Sequence, residues 1–493
     1  MLRNAAFHLV CLTITAWLGM TCSTAQADVV PNKLFSDNLV LQRATAVAVW
    51  GTADAGEAVT VSMAGQEKKT KAAADGKWML RLDPLKAGGP FELTIAGKNK
   101  VTVKDVLVGE VWLCSGQSNM AMTVSRSLNA DKEVASGKHP KIRMFKVTSG
   151  GAKTPQSQLQ GQWSVCSPKT VGGFSATGYF FGRALHKELG VPIGLINSSV
   201  GGTPVQAWTS IPRQKEMFAS PEVAAWLKAH NISNAGPTRG ELYNGKIAPL
   251  VPYGIRGAIW YQGEANRRGY PYLYRYRLST LINSWRADWK LGDFPFACVQ
   301  LPNFTAPQTR PVEDGGWVTV REGMAKTLAL SNTGMAVTLD VGEARDIHPK
   351  NKQAVGKRLA LWALGTVYDK KIVYSGPQYR SSEAKGGKVI ITFDHTGDGL
   401  TTNDGKPLRG FAIAGADQKW LSAEAKIVGE TVVVSNSNIS NPVAVRYAWA
   451  ANPDFNFYNK AALPAAPFRT DDWELPLSDP PTKKRTRKKK KKS

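Results

Sequence analysis

Five short apolar runs, alternating with stretches of helical period, constrain the fold of this chain more than any other feature. The runs are Val111–Cys114, Ile193–Ile196, Gly257–Tyr261, Phe296–Leu301 and Met335–Leu339. They are mostly continuous rather than alternating, as strands buried on both faces are. Between them Ser175–Leu189, Tyr270–Trp289 and Val318–Leu330 carry apolar residues at helical spacing, and Asn351–Tyr368 follows the last run. Repeated strand–helix alternation predicts an α/β domain over residues 108–370, with a parallel sheet covered by helices on both faces. In such sheets reactive side chains gather in loops at the carboxyl ends of the strands.

The pattern on either side is strand without helix. Over residues 28–107 the runs Ala46–Trp50, Ala58–Met63, Trp78–Leu82 and Phe91–Ile95 are separated by Asp75-Gly76 and Gly88-Gly89-Pro90. Period-two alternation with such breaks predicts a small N-terminal β-sandwich. No ionisable cluster there suggests chemistry. Residues 371–472 resume the pattern with Lys388–Phe393, Gly410–Ile413, Glu430–Val434 and Pro442–Ala448, which predicts a C-terminal β-rich domain.

Both ends read differently. An apolar stretch from Ala5 to about Met20 leads to Ala25-Gln26-Ala27, small residues at both key positions of a signal-peptidase site. Residues 1–27 are expected to be a cleaved signal peptide, and the mature chain to be secreted or periplasmic. The run is short of the ~20 residues a membrane span requires, and no later segment is long enough. The formal charge of +25 invites a nucleic-acid reading, but nine basic residues and no acidic one lie between Lys483 and Lys492. The remaining +16 gathers on no single helix or face, so no nucleic-acid partner is expected. Residues 473–493 are read as a basic disordered tail, solvated or else in contact with polyanions or a membrane surface. Of five cysteines, Cys114, Cys166 and Cys298 would survive cleavage, too few and too scattered for a disulfide framework or a metal site.

Histidines are scarce. His139, His186, His230 and His395 fit surface, packing or turn positions. His348 stands apart, because it follows the fifth run within Asp340-Val-Gly-Glu-Ala-Arg-Asp346-Ile-His348-Pro349 and precedes a helix. A base at the end of a strand, with carboxylates nearby, suits general acid–base chemistry. For a nucleophile, Trp112-Leu-Cys114-Ser-Gly116-Gln117-Ser118-Asn119-Met120 runs from a strand through Gly116 to Ser118 at a helix start. There a hydroxyl can protrude above the sheet and backbone N–H groups can face an oxyanion. Cys114 is the rival nucleophile, although its place on the strand favours the core. Paired Gly201 and Gly202 follow the second run, and Gln262 follows the third, where a side-chain amide can donate to an oxyanion.

These motifs together resemble the sialate O-acetylesterase family, a carbohydrate acetylesterase branch of the SGNH-hydrolase superfamily. The resemblance is carried by Gly116-Gln117-Ser118-Asn119-Met120, Ser199-Val-Gly201-Gly202-Thr203, Trp260-Tyr-Gln262-Gly263-Glu264 and Asp346-Ile-His348-Pro349-Lys-Asn-Lys. Leu242-Tyr-Asn244-Gly245, Trp285-Arg286 and the closing Pro467-Phe-Arg469-Thr-Asp-Asp-Trp473 are also similar to the family, so the resemblance spans nearly the whole mature chain. It implies a three-layer SGNH-hydrolase-like parallel sheet flanked by N- and C-terminal β-rich domains.

By position, the resemblance implies Ser118 as nucleophile and His348 as its base. The Ser118 amide, the Gly201/Gly202 loop and the Gln262 side chain would form the oxyanion hole. Glu264 would be structural or substrate-orienting. Many superfamily members place the orienting aspartate three residues before the histidine, where this chain has Arg345; Asp346 lies two before. Asp346 is the first candidate to orient His348, with Asp340 or a backbone carbonyl as alternatives. The implied reaction removes an O-acetyl group from sialic acid or a related acetylated sugar and involves no metal or organic cofactor. Trp112, Trp208 and Trp260 lie near the motif loops, as packing residues or as platforms for sugar rings. The rival functions are an acetylxylan or other polysaccharide acetylesterase, a non-catalytic glycan-binding protein, and a polyanion-binding protein led by its tail.

Overall fold

The structure is a computed structural model describing residues 28–477; the expected signal peptide and most of the basic tail lie outside the described residues. Its centre is one long strand, β1 (Lys100–Gly116), whose two halves serve different sheets. The first half pairs antiparallel with Gly88–Ala96 of the N-terminal region, and beside it Val40–Gln42 runs parallel. The second half is the middle of the α/β sheet. The expected division at Leu107 therefore falls inside a strand that both regions share.

With β2 (His139–Val147), β3 (Gly161–Cys166), β4 (Ile193–Ser199), β5 (Gly257–Tyr261), β6 (Phe296–Val299) and β7 (Thr333–Ala336), the strand order is β3-β2-β4-β1-β5-β6-β7. Every neighbouring pair is parallel except β2 with β3, so β3 is an antiparallel edge. Two of the expected strands are shifted. Phe296–Leu301 ends at Val299, and Met335–Leu339 runs instead as Thr333–Ala336, with Leu339 in the short helical turn Leu339–Val341.

Alternate residues of the central strands enter two separate cores. Leu113, Ala258, Trp260, Phe296 and Cys298 join Leu278, Leu281, Ile282 and Trp285 of α3 (Tyr274–Trp289) and Val320 and Met324 of α4 (Gly316–Lys326). Trp112, Cys114, Ile259, Tyr261, Ala297 and Val299 join Tyr179, Phe181 and Leu185 of α2 (Ala176–Leu189) and Val355, Leu359 and Ala363 of α5 (Lys352–Thr366). Strands clothed on both faces carry no polar alternation, which explains the unbroken apolar runs in the sequence. The ends of these helices are set locally. Ser175 Oγ accepts the Gly178 N–H at 3.1 Å, Gly190 closes α2 in the left-handed region, and Asn351 Oδ1 accepts the Ala354 N–H at 3.1 Å.

The flanking regions are β-rich as expected. Lys77–Leu82 and Ala58–Met63 bury every second residue, the signature of strands with one wet face. The C-terminal region forms two four-stranded sheets and a two-stranded one. Arg321 of α4 ties it to the central unit. This guanidinium is 1% exposed and donates to the carbonyls of Leu301 and Pro302 on one side and of Ala450 and Ala451 on the other. Among the described residues no helix is long and apolar enough to cross a membrane, and Cys114, Cys166 and Cys298 are all buried and unbridged.

Candidate active site

The chain leaves β1 at Gly116, where only glycine fits. Its φ is +137°, and a Cβ there would sit 2.2 Å from the Tyr261 carbonyl oxygen. That close approach lets the Gln117 N–H bond to Tyr261 O at 2.9 Å and lifts the next residue, Ser118, above the sheet as the first residue of α1 (Ser118–Ala121). Ser118 is half-buried, whereas Gln117, Asn119 and Met120 around it are buried.

Three further loops meet around Gln117 and Ser118, each leaving the carboxyl end of a parallel strand. After β4, the Val200 N–H bonds to the Gly116 carbonyl at 3.1 Å, which draws Gly201 so close that a Cβ on it would lie 3.5 Å from Ser118 Cβ. Gly202, at φ +71°, opens onto free space. After β7, the loop Glu343–His348 delivers the imidazole: His348 Nε2 is 2.8 Å from Ser118 Oγ. Asp346 Oδ1 accepts the His348 backbone N–H at 2.9 Å and lies 3.5 Å from Nδ1. Asp340 is committed elsewhere, its two oxygens each 2.6 Å from a guanidinium nitrogen of Arg358. Arg345, three residues before His348, is exposed.

After β5, Gln262 is fully buried. Its amino group donates to Asn266 Oδ1 at 2.8 Å and makes two longer contacts, 3.2 Å to the Thr203 carbonyl and 3.3 Å to Gln117 Oε1. The amide thus sits between the residue before Ser118 and the residue after Gly202. The shortest of the three contacts is the one to Asn266.

The remaining candidates separate cleanly. Cys114 is wholly buried in the α2/α5 core, and burial pushes its thiol well above the ordinary range, which disfavours the reactive thiolate. Trp112, Trp208 and Trp260 are each 0% exposed, so none can stack on a sugar ring, and the platform reading is corrected to packing. His186 and His230 face backbone carbonyls at Val191 and Trp226. Glu264 is buried against Asn119, whose amide also reaches the Ile347 carbonyl. Asn119 and Lys352 stand in the quoted motifs, but spacing assigned them no task. Among the described residues no group of three His, Cys, Asp or Glu side chains converges as metal ligands would.

A serine hydroxyl facing an imidazole beside a glycine loop is the constellation of acyl transfer, and comparison with known proteins bears on which kind. A model of the family described as carbohydrate esterase, sialic acid-specific acetylesterase matches residues 108–364. The chain belongs to this family. It is a carboxylic ester hydrolase. The esterase is 33% identical to the human protein named sialate O-acetylesterase, over 88% of this chain and 91% of that one. It is 32% identical to the mouse protein of the same name, over 88% and 93%. Among solved structures, a carbohydrate acetylesterase from Xanthomonas citri superposes with a TM-score of 0.82 at 39% identity, over 90% of this esterase and all of the other chain. The likeness therefore extends through both β-rich flanks and is not confined to the motif loops.

Proposed function

We propose that this esterase removes O-acetyl groups from sialic acid or a closely related acetylated sugar by a serine mechanism. The reading divides the chain into a β unit (28–107), an SGNH-hydrolase-like three-layer catalytic unit (108–370) and a second β unit (371–472). The observation that carries it is the 2.8 Å contact between His348 Nε2 and Ser118 Oγ at the carboxyl edge of a parallel sheet. His348 takes the Ser118 proton as Oγ attacks the acetyl carbonyl carbon. The oxyanion is received by the Ser118 and Gly201/Gly202 backbone amides and by the Gln262 side-chain amide. The tetrahedral intermediate collapses, the sugar hydroxyl leaves with the proton from His348, and acetyl-Ser118 remains. A water, deprotonated by His348, then releases acetate and restores the hydroxyl.

The names of the relatives support the acetylated-sugar assignment, and the N-terminal segment supports export to where glycans are met. The test is acetate release from O-acetylated sialic acid beside acetylated xylan, at equal acetyl concentration. The expected result is a kcat/KM at least about tenfold higher on the sialic acid, a difference of ~1.4 kcal/mol in transition-state binding. Preference for xylan would move the enzyme to the polysaccharide acetylesterases, and no release from either would remove the assignment.

Asp346 supplies a second test. Its stronger bond is to the His348 backbone, and its 3.5 Å approach to Nδ1 is that of a half-exposed carboxylate. Asp346→Asn keeps the backbone acceptor and removes the charge. It is expected to lower kcat roughly 10- to 100-fold, less than a buried triad aspartate would, because water screens the lost attraction. An unchanged kcat would leave the orientation of His348 to the backbone.

A further inference from the structure

Behind Ser118 and His348 lies a buried ionic array that takes no direct part in the proposed chemistry. Lys352 and Asn119 are fully buried and Glu264 is 3% exposed. Lys352 Nζ donates to Asn119 Oδ1 at 2.6 Å and stands 5.0 Å from the centroid of the Tyr261 ring. Asn119 Nδ2 donates to Glu264 Oε1 at 2.5 Å and to the Ile347 carbonyl at 2.9 Å. The carboxamide is thus fully employed and can face only one way. Turned over, it would set its oxygen against a carboxylate and its amino group against an ammonium.

Taking two charges out of water is costly, and apolar side chains of the same volume would fill this space without that cost. The strain shows in both partners: burial pushes the Glu264 carboxyl up, and brings the Lys352 ammonium down to about 7. What the array secures is position. Asn119 directly follows Ser118, and Ile347 directly precedes His348. The single bond from Asn119 to Ile347 O therefore joins the nucleophile's helix to the base's loop, behind a Ser118–His348 contact whose partners are 230 residues apart.

We propose that Lys352, Asn119 and Glu264 are positioning residues for the esterase reaction. Lys352 and Glu264 fix the Asn119 carboxamide, and Asn119 holds the Ile347 carbonyl so that His348 stays in line with Ser118. The proposal rests on the reading of Ser118 and His348 as nucleophile and base.

The experiment compares Lys352→Met, Glu264→Gln and the double variant with the parent. For each, kcat and KM are measured on a small aryl acetate, the rate of Ser118 phosphonylation by a fluorophosphonate is followed, and thermal unfolding is recorded. Either single change is expected to lower kcat and the phosphonylation rate by about tenfold or more, with KM within about twofold. The double variant, which leaves no unpaired buried charge, is expected to regain thermal stability over the singles without regaining kcat. A purely structural role predicts the opposite, activity that returns with stability; that result, or a kcat within twofold of the parent in both singles, would overturn the proposal. A parent that is phosphonylated at Ser118 yet releases no acetate from sugars would sink the substrate reading alone, and the phosphonylation rates would still decide the array.

Discussion

Replacing Ser118 with alanine is expected to lower acetate release by at least about 10³-fold while leaving the fold intact. The loss should fall in kcat, because in the proposed mechanism the hydroxyl oxygen is the atom that bonds to carbon. Residual turnover would come from water attacking an acetyl group still polarised by the proposed oxyanion hole. The fold should survive, since Ser118 Oγ faces the half-exposed His348 ring, and the turn itself is built by Gly116 and Gln117. The measurement is acetate release by parent and variant, with unfolding midpoints beside it. Release that persisted in a folded variant would remove the serine mechanism. Cys114, the nearest alternative, would then have to leave a core in which it is completely buried and its thiol is held protonated.

The sequence revealed the sheet because burial on both faces writes itself as unbroken apolar runs. Gly257–Tyr261 coincides with the strand, and Ser175–Leu189 differs from the helix by its capping serine alone. The edge strand β3, Gly161–Cys166, was not legible. Its run is interrupted by Gln162 and Ser164, since only one side of an edge strand is covered. Met335–Leu339 was misplaced because Leu339 and Val341 are buried in a helical turn, and burial alone does not distinguish the two conformations. At the site, position after a strand made Ser118 and His348 candidates and the family resemblance paired them; the structure brings them to 2.8 Å. The choice among Asp346, Asp340 and the backbone was not legible, because it depends on which acceptor the loop turns toward. Arg358, eighteen residues beyond Asp340, takes Asp340 out of consideration. The Lys352–Asn119–Glu264 contacts join the starts of two helices and a helical turn that are distant in sequence, and no local pattern announces them.

The other large effect is expected far from the chemistry, at Glu110 in the middle of β1. This carboxylate is 0% exposed and is held by three side chains. Arg43 Nε lies at 2.5 Å, Arg256 Nε at 2.7 Å and Gln42 Nε2 at 3.1 Å. Gln42 and Arg43 belong to the N-terminal region and Arg256 leads into β5, so Glu110 pins the two sheets where they share a strand. Burial alone would raise its carboxyl, but the hydrogen bond and charge of Arg256, then the bonds from Arg43 and Gln42, outweigh that and hold it below its ordinary 4.5. Glu110→Ala leaves both guanidiniums without their anion. Breaking a buried pair costs about 3–5 kcal/mol, and the lower figure applies here because each arginine keeps over a quarter of its side chain in water. Glu110→Gln keeps the shape and loses the charge, so its cost should be smaller. The sign with pH follows from the lowered value. The stabilisation is complete above 4.5 and is lost as pH falls through the folded-state value, so the gap between parent and Glu110→Gln should narrow in acid. Urea unfolding at pH 7 and at pH 3.5 measures both effects. A Glu110→Ala midpoint equal to the parent's at pH 7 would show that β1 is held by its strand pairing alone. A gap that widened in acid would show the carboxyl to be raised, not lowered, by its burial.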